Sequence, residues 1–118
     1  HRYREFAAEI QRRFGTSLAE TTGTGETVTL KLARPATIDH VILMEDIRQG
    51  ERVREFVVEG LTGGQWKPLC QAQCIGHKRI DRFAPVEVSE VRLRVTKSVA
   101  APVIRRLAVF HVAGAKTP

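Results

Sequence analysis

The hydrophobic and polar positions of this chain follow two periods, and the change falls near residue 27. Tyr3, Phe6, Ala7, Ile10 and Phe14 recur at steps of three and four, with Arg4, Glu5, Glu9, Arg12 and Arg13 on the other side. That spacing predicts an amphipathic helix over 1–15. Gly15 is its stop, and the Arg12–Arg13 pair sits where the helix dipole favours cations. A short helix with three aromatic side chains needs cover. It is expected to dock on the rest of this chain or on a domain ahead of it. Residues 16–26, T-S-L-A-E-T-T-G-T-G-E, are polar, hold Gly23 and Gly25, and read as a linker.

From Thr27 the period is two. Val28, Leu30 and Leu32 face one way, and Thr27, Thr29 and Lys31 the other, until Pro35 ends the strand. Ile38 to Met44 is apolar on both faces and reads as a central strand, with His40 a satisfied core or rim histidine rather than a ligand. Val53 to Leu61 follows, and Thr62-Gly63-Gly64-Gln65 is a hairpin turn. Trp66 and Leu69 open the next strand. Trp66 reads as a core plug, with a sugar-stacking platform as the alternative. Ile75, Ile80 and Phe83 are expected to look inward, and His77, Lys78, Arg79 and Arg82 form the densest basic cluster. Pro85 breaks that run. Val91, Leu93 and Val95 alternate with Arg92 and Arg94, and a last strand with Leu107, Val109 and Phe110 ends near Val112. Seven or so short strands with no helix between them predict an all-β fold, an antiparallel β-sandwich of the jelly-roll kind. The organisation is then helix 1–15, linker 16–26 and sandwich domain 27–118.

The stretch Val41–Leu61 organises the chemistry. Two apolar runs, Val41–Met44 and Phe56–Val58, flank Glu45-Asp46-Ile47-Arg48-Gln49-Gly50-Glu51-Arg52. This predicts strand, charged loop, strand, with Gly50 supplying the reversal and two acids and two arginines at one rim. Glu45, Asp46, Arg48 and Arg52, with His77, Lys78 and Arg79 on a facing connection, are the candidate contacts for a carbohydrate or a neighbouring domain. The competing reading is a salt-bridge network that solvates the loops, at about 0–1 kcal/mol per exposed pair.

Composition narrows the classes. At 118 residues the chain is one domain, and no run reaches the roughly 18–20 apolar residues of a membrane span. Net charge is +6, from 19 Lys and Arg against 13 acids, but the basic residues are scattered and lack interleaved aromatic platforms. Neither nucleic acid nor membrane is therefore expected as a partner. Cys70 and Cys74 lack a metal-spaced partner set and are either a disulfide across a short turn or two independent thiols. The chain begins at His1 without an initiating Met or a recognisable signal peptide, and reads as a fragment or a processed product.

Four motifs together resemble one family: Glu45-Asp46-Ile47-x-x-Gly50-Glu51-Arg52-Val53, Gly64-x-Trp66-x-x-Leu69, Ile75-Gly76-His77-Lys78-Arg79-Ile80 and Val91-Arg92-Leu93. They are similar to the C-terminal, galactose-binding-like (discoidin, or coagulation-factor type C) β-sandwich of α-L-fucosidases. The resemblance runs from about Thr27 to Val112. It implies that the helix leads out of a catalytic barrel, and that the barrel carries the carboxylate nucleophile and acid/base of a retaining hydrolase. No catalytic role is transferred to any acid of this chain. The polar segment that supplies structural calcium in the broader sandwich family is not recognisable, so no cofactor or metal ligand is expected. The implied partners are the barrel and a glycan, and the implied location is the periplasm or outside the cell. The expected function is a non-catalytic accessory domain; the alternative is a stand-alone module binding galactosides or fucosides.

Overall fold

A computed structural model describes residues 17–112. These form one six-stranded sheet: β1 (Ala19–Thr24), β2 (Thr27–Glu45), β3 (Val53–Thr62), β4 (Gln65–Ala72), β5 (Arg79–Ser98) and β6 (Val103–Phe110). The strand order is β1-β6-β2-β5-β3-β4, and every ladder is antiparallel. No helix occurs among the described residues; the predicted helix over 1–15 lies outside them.

The strands are fewer and longer than the sequence suggests, because β2 and β5 run for 19 and 20 residues through Pro35 and Pro85. Both prolines sit beside interruptions of the β2–β5 ladder, between Lys31 and Ala36 and between Ile38 and His40. A missing N–H costs little where the ladder is already broken. The first part of β2 pairs Thr27–Lys31 with Arg94–Glu90, and the second pairs Ala36–Leu43 with Val88–Arg79. The sheet thus has two halves. One holds β1, β6 and the second part of β2 with the first part of β5. The other holds the remaining parts of β2 and β5 with β3 and β4.

One apolar core joins the halves. Val41, Leu43, Leu107 and Val109 from the first half pack with Val28, Phe56, Val58, Val91 and Leu93 from the second. The alternation predicted for β5 holds, with Val91, Leu93 and Val95 buried and Arg92 and Arg94 outside. The Thr62–Gln65 hairpin also holds: Gly63 and Gly64 have φ of 59° and 80°, the left-handed pair that a two-residue turn requires.

Three expectations change. Residues 16–26, read as a linker, contain β1, an edge strand paired with β6. Its inward positions are Ala19, Thr21 and Gly23, too small to announce burial. Gly23 is small for a reason: a β-carbon there would lie 2.9 Å from Val28 Cγ2. Ile80 faces away from the main core, sitting opposite Ile42 in the register and packing with a second apolar cluster. Trp66 is no core plug. It is half-buried, outside the main cluster, with the Arg92 guanidinium 4.1 Å from its ring centroid.

Candidate functional site

The charged rim is built where β2 ends. Glu45, its last residue, is fully buried, unusual for a carboxylate at the mouth of a loop. Its Oε2 accepts the backbone N–H groups of Arg52 and Val53 at 2.7 and 3.1 Å. The acid therefore ties the far end of the loop to the end of the strand it follows. Its Oε1 is buried without a hydrogen-bond partner. Gly50, at φ 95°, makes the reversal between these anchors, and its N–H donates to Ile47 O.

The loop side chains lock to one another. Arg48 donates to both oxygens of Asp46, with Nη2 to Oδ2 at 2.6 Å, and this guanidinium holds the Asp46 carboxyl down at about 2. Arg52 donates to Gln49 Oε1 and to Ala101 O, which brings in the connection before β6. Asp46 N–H donates to Val103 O. Together Asp46, Arg48, Gln49, Arg52 and Val103 line a depression of about 560 Å³.

The two predicted connections meet at this pole. Glu45 N–H donates to Gly76 O at 3.0 Å, and Glu51 Oε1 lies 3.9 Å from where a β-carbon on Gly76 would sit. His77 and Lys78 follow on the exposed side of that turn. Arg79 turns away: it pairs with Asp81 at 2.8 Å and its guanidinium lies 5.7 Å from the Phe56 ring centroid. Asp46–Arg48 and Arg79–Asp81 are both local pairs, two residues apart in sequence. Glu45 binds the backbone N–H groups of Arg52 and Val53.

Two further placements bear on chemistry. Cys70 and Cys74 are free thiols; burial, with a smaller push from Asp81, raises Cys70 to about 12. His40 Nδ1 lies 2.9 Å from the buried Asp39, whose Oδ1 also accepts the Val112 N–H. Asp39 marks the opposite pole from the rim, roughly 20 Å away along β2 at strand rise. There Leu18 N–H donates to Val109 O, so residues 17 and 112 both lie far from Glu45.

Sequence reasoning missed one cluster, on the outer face of β3, β4 and β5. Glu59 is 8% exposed and receives Arg92 at 2.8 Å and Arg94 at 3.2 Å. These hydrogen bonds, Arg94 first, hold its carboxyl below the usual range against the opposing effect of burial. Beside it a second depression of about 560 Å³ is lined by Val57, Glu59, Pro68, Gln71, Arg94 and Thr96, among others. The signal was the register, since Glu59 stands opposite Arg92, and register is not written in either strand alone. Because Arg92 already covers the Trp66 ring, that ring is a poor platform for a sugar.

Chemically, the rim offers an exposed guanidinium and a partly exposed carboxylate on a loop tied down by a buried acid. It suits planar polar contacts rather than stacking, because none of the five residues lining it is aromatic. Among the described residues no group of three or more His, Cys, Asp or Glu is placed to hold a metal ion, and no helix is long and apolar enough to cross a membrane.

Comparison with known proteins gives the arrangement its context. No protein-family model matches the chain. The rice (Oryza sativa subsp. japonica) protein named "Putative alpha-L-fucosidase 1" is 33% identical over 79 residues, 67% of this chain and 15% of its own length. A solved structure of the same designation from Bacteroides thetaiotaomicron VPI-5482 is 37% identical, with a TM-score of 0.84, over 94% of this chain and 26% of that one. Chitosan-binding module 1 of a Paenibacillus sp. IK-5 chitosanase/glucanase is 13% identical, with a TM-score of 0.61, over 86% of this chain and 83% of the module. That last likeness is one of fold alone. The chain spans 15–30% of the length of the α-L-fucosidases it resembles.

Proposed function

We propose that this chain is a non-catalytic accessory domain of a glycoside hydrolase resembling α-L-fucosidase, a galactose-binding-like jelly roll that docks on the catalytic barrel. The observation that supports it is the match of nearly the whole chain to one quarter of a fucosidase-designated structure. Retaining hydrolysis, with nucleophile and acid/base carboxyls, belongs in this reading to the barrel. The working place is the periplasm or the exterior of the cell. The rim of Asp46, Arg48, Arg52, His77 and Lys78, fastened from beneath by the buried Glu45, is the surface offered to the barrel or its substrate, and Arg79 supports the adjoining strand. The test is association with the catalytic domain supplied in trans: co-elution on size exclusion, weakened by Arg48→Glu with Arg52→Glu, supports the reading, and absence of any complex overturns it.

One observation favours a second reading, a carbohydrate-binding module for galactosides or fucosides. The rim depression gathers the planar polar groups Asp46, Arg48, Gln49 and Arg52 that hydroxyl recognition uses. Calorimetry with free galactosides and fucosides decides it; no heat at millimolar sugar removes it.

A further inference from the structure

The outer face of β3, β4 and β5 carries a depression that the rim does not share. The strand registers set its plan. Val57 stands between Gln71 on β4 and Arg94 on β5, and Glu59 stands between Pro68 and Arg92. Glu55, Gln73 and Thr96 extend the same depression, whose volume is about 560 Å³. That is within the range of sites that hold small ligands.

Its floor is fixed and its walls are open. Val57 and Glu59 are each 8% exposed. Arg92 Nε and Arg94 Nε donate to Glu59 Oε1 at 2.9 and 3.2 Å, and Arg94 Nη2 donates to Oε2 at 3.2 Å. Those bonds use two of the five N–H groups of Arg94. The guanidinium is therefore held in place, half-exposed, with its other N–H groups to spare. The Glu55 carboxylate is half-exposed, with Lys97 at 3.8 Å. Gln71, Gln73 and Thr96 are exposed.

The hydrogen-bonding character of these walls identifies the ligand. Glu55 and Glu59 only accept, Arg94 only donates, and Gln71, Gln73 and Thr96 do both. Phosphate is rich in acceptors and meets two carboxylates. An ammonium only donates and meets Arg94. A hydroxyl donates and accepts, so a rigid frame bearing several hydroxyls serves acid, guanidinium and carboxamide together. Val57 and Pro68 give the C–H face of such a frame an apolar bed. The strands bearing Gln71 and Arg94 lie about 10 Å apart, with Val57 between them, which leaves room for one sugar ring. This arrangement needs no aromatic platform, and Trp66, covered by Arg92, does not supply one.

We infer that this outer face is a binding site for neutral saccharides, with a ring over Val57 and its hydroxyls on Gln71 at one side and on Arg94 and Thr96 at the other. It shares no lining residue with the rim depression. The inference goes beyond the accessory-domain reading and stands whether or not the rim meets a barrel.

The test is residue-resolved NMR of the isotope-labelled full chain, titrated with lactose and, in parallel, with inorganic phosphate. We expect saturable lactose shifts at the Val57 and Thr96 amides and at the Gln71 and Gln73 side-chain N–H₂ groups, and none there with phosphate. Gln71→Ala, at an exposed position that should leave the fold intact, should weaken lactose binding about three- to tenfold, the loss of about one hydrogen bond. Thr96→Val should act in the same direction. Absence of saturable lactose shifts on this face at high millimolar sugar overturns the inference, as does unchanged affinity in both variants. Equal shifts with phosphate overturn it in favour of an anion site. Shifts confined to Arg48 and Gln49 overturn it in favour of the rim, whereas shifts on the outer face alone support it and count against sugar binding at the rim.

Discussion

Replacing Glu45 by alanine removes the fastening of the charged rim. The native carboxylate is 0% exposed and accepts two backbone N–H groups through one oxygen. Hydrogen bonds to a charged group contribute about 1.5–3 kcal/mol each, which gives roughly 5 kcal/mol for the pair. Against this, Oε1 is already buried without a partner, a strain of about 1–3 kcal/mol that alanine relieves. The expected net loss is about 3 kcal/mol, or about 12 °C in melting temperature for a chain of this size. Urea unfolding followed by far-ultraviolet circular dichroism measures it. Glu45→Gln keeps a carbonyl oxygen for the two N–H groups but encloses an amide N–H₂, and should fall between alanine and the native residue. Glu51→Ala, on an exposed neighbour, should stay within about 0.5 kcal/mol of it. The reasoning is refuted if Glu45→Ala costs no more than Glu51→Ala.

Gly60→Ala puts a β-carbon 2.7 Å from Val88 Cγ1 and 3.1 Å from Leu69 Cδ1. Overpacking there should cost about 1–3 kcal/mol in a denaturant titration. The Asp46 carboxyl, followed by carbon-detected NMR, should titrate near 2 instead of 3.8. Because its folded value is depressed, the Asp46–Arg48 contribution is full above 3.8 and is lost only as pH falls toward 2; Arg48→Ala should raise the titration toward the ordinary range but not all the way, because the residue 48 backbone N–H still donates to Oδ1. Cys74 is exposed, whereas burial pushes the Cys70 thiol up to about 12. A thiol reagent at mildly alkaline pH should therefore modify Cys74 in the folded chain and Cys70 only after unfolding, as peptide mapping would show.

What was legible in the sequence was what neighbouring residues decide. The Val91, Leu93, Val95 alternation is a property of one strand, and the Gly63–Gly64 turn a property of four residues, so both could be read directly. β1 was not legible, because Ala19, Thr21 and Gly23 pair with β6 without the bulk that signals a core face. Pro35 and Pro85 looked like ends because proline interrupts a ladder, and only the partner strand shows that the one β2–β5 ladder is interrupted at both points anyway. The meeting of the Glu45 loop with Gly76 was expected from the family resemblance, and Glu45 was expected to be partly buried, but as a member of a salt-bridge network: that its partners are the Arg52 and Val53 N–H groups cannot be read until those donors are placed. Glu59 with Arg92 and Arg94 needed the β3–β5 register, which no local pattern encodes.

The first described strand finds its sole partner in the last, Ala19 beside Val109. A polypeptide emerging from the ribosome therefore carries β1 without a ladder partner, and the second part of β2 paired by β5 on one edge only, until Val103–Phe110 has been made. Over that interval the β6-facing edge of the aliphatic run Val41–Met44 is an open template for stray strands. Completion of this domain is governed by the arrival of its final segment, and truncation upstream of it leaves a sticky edge rather than a smaller working fold.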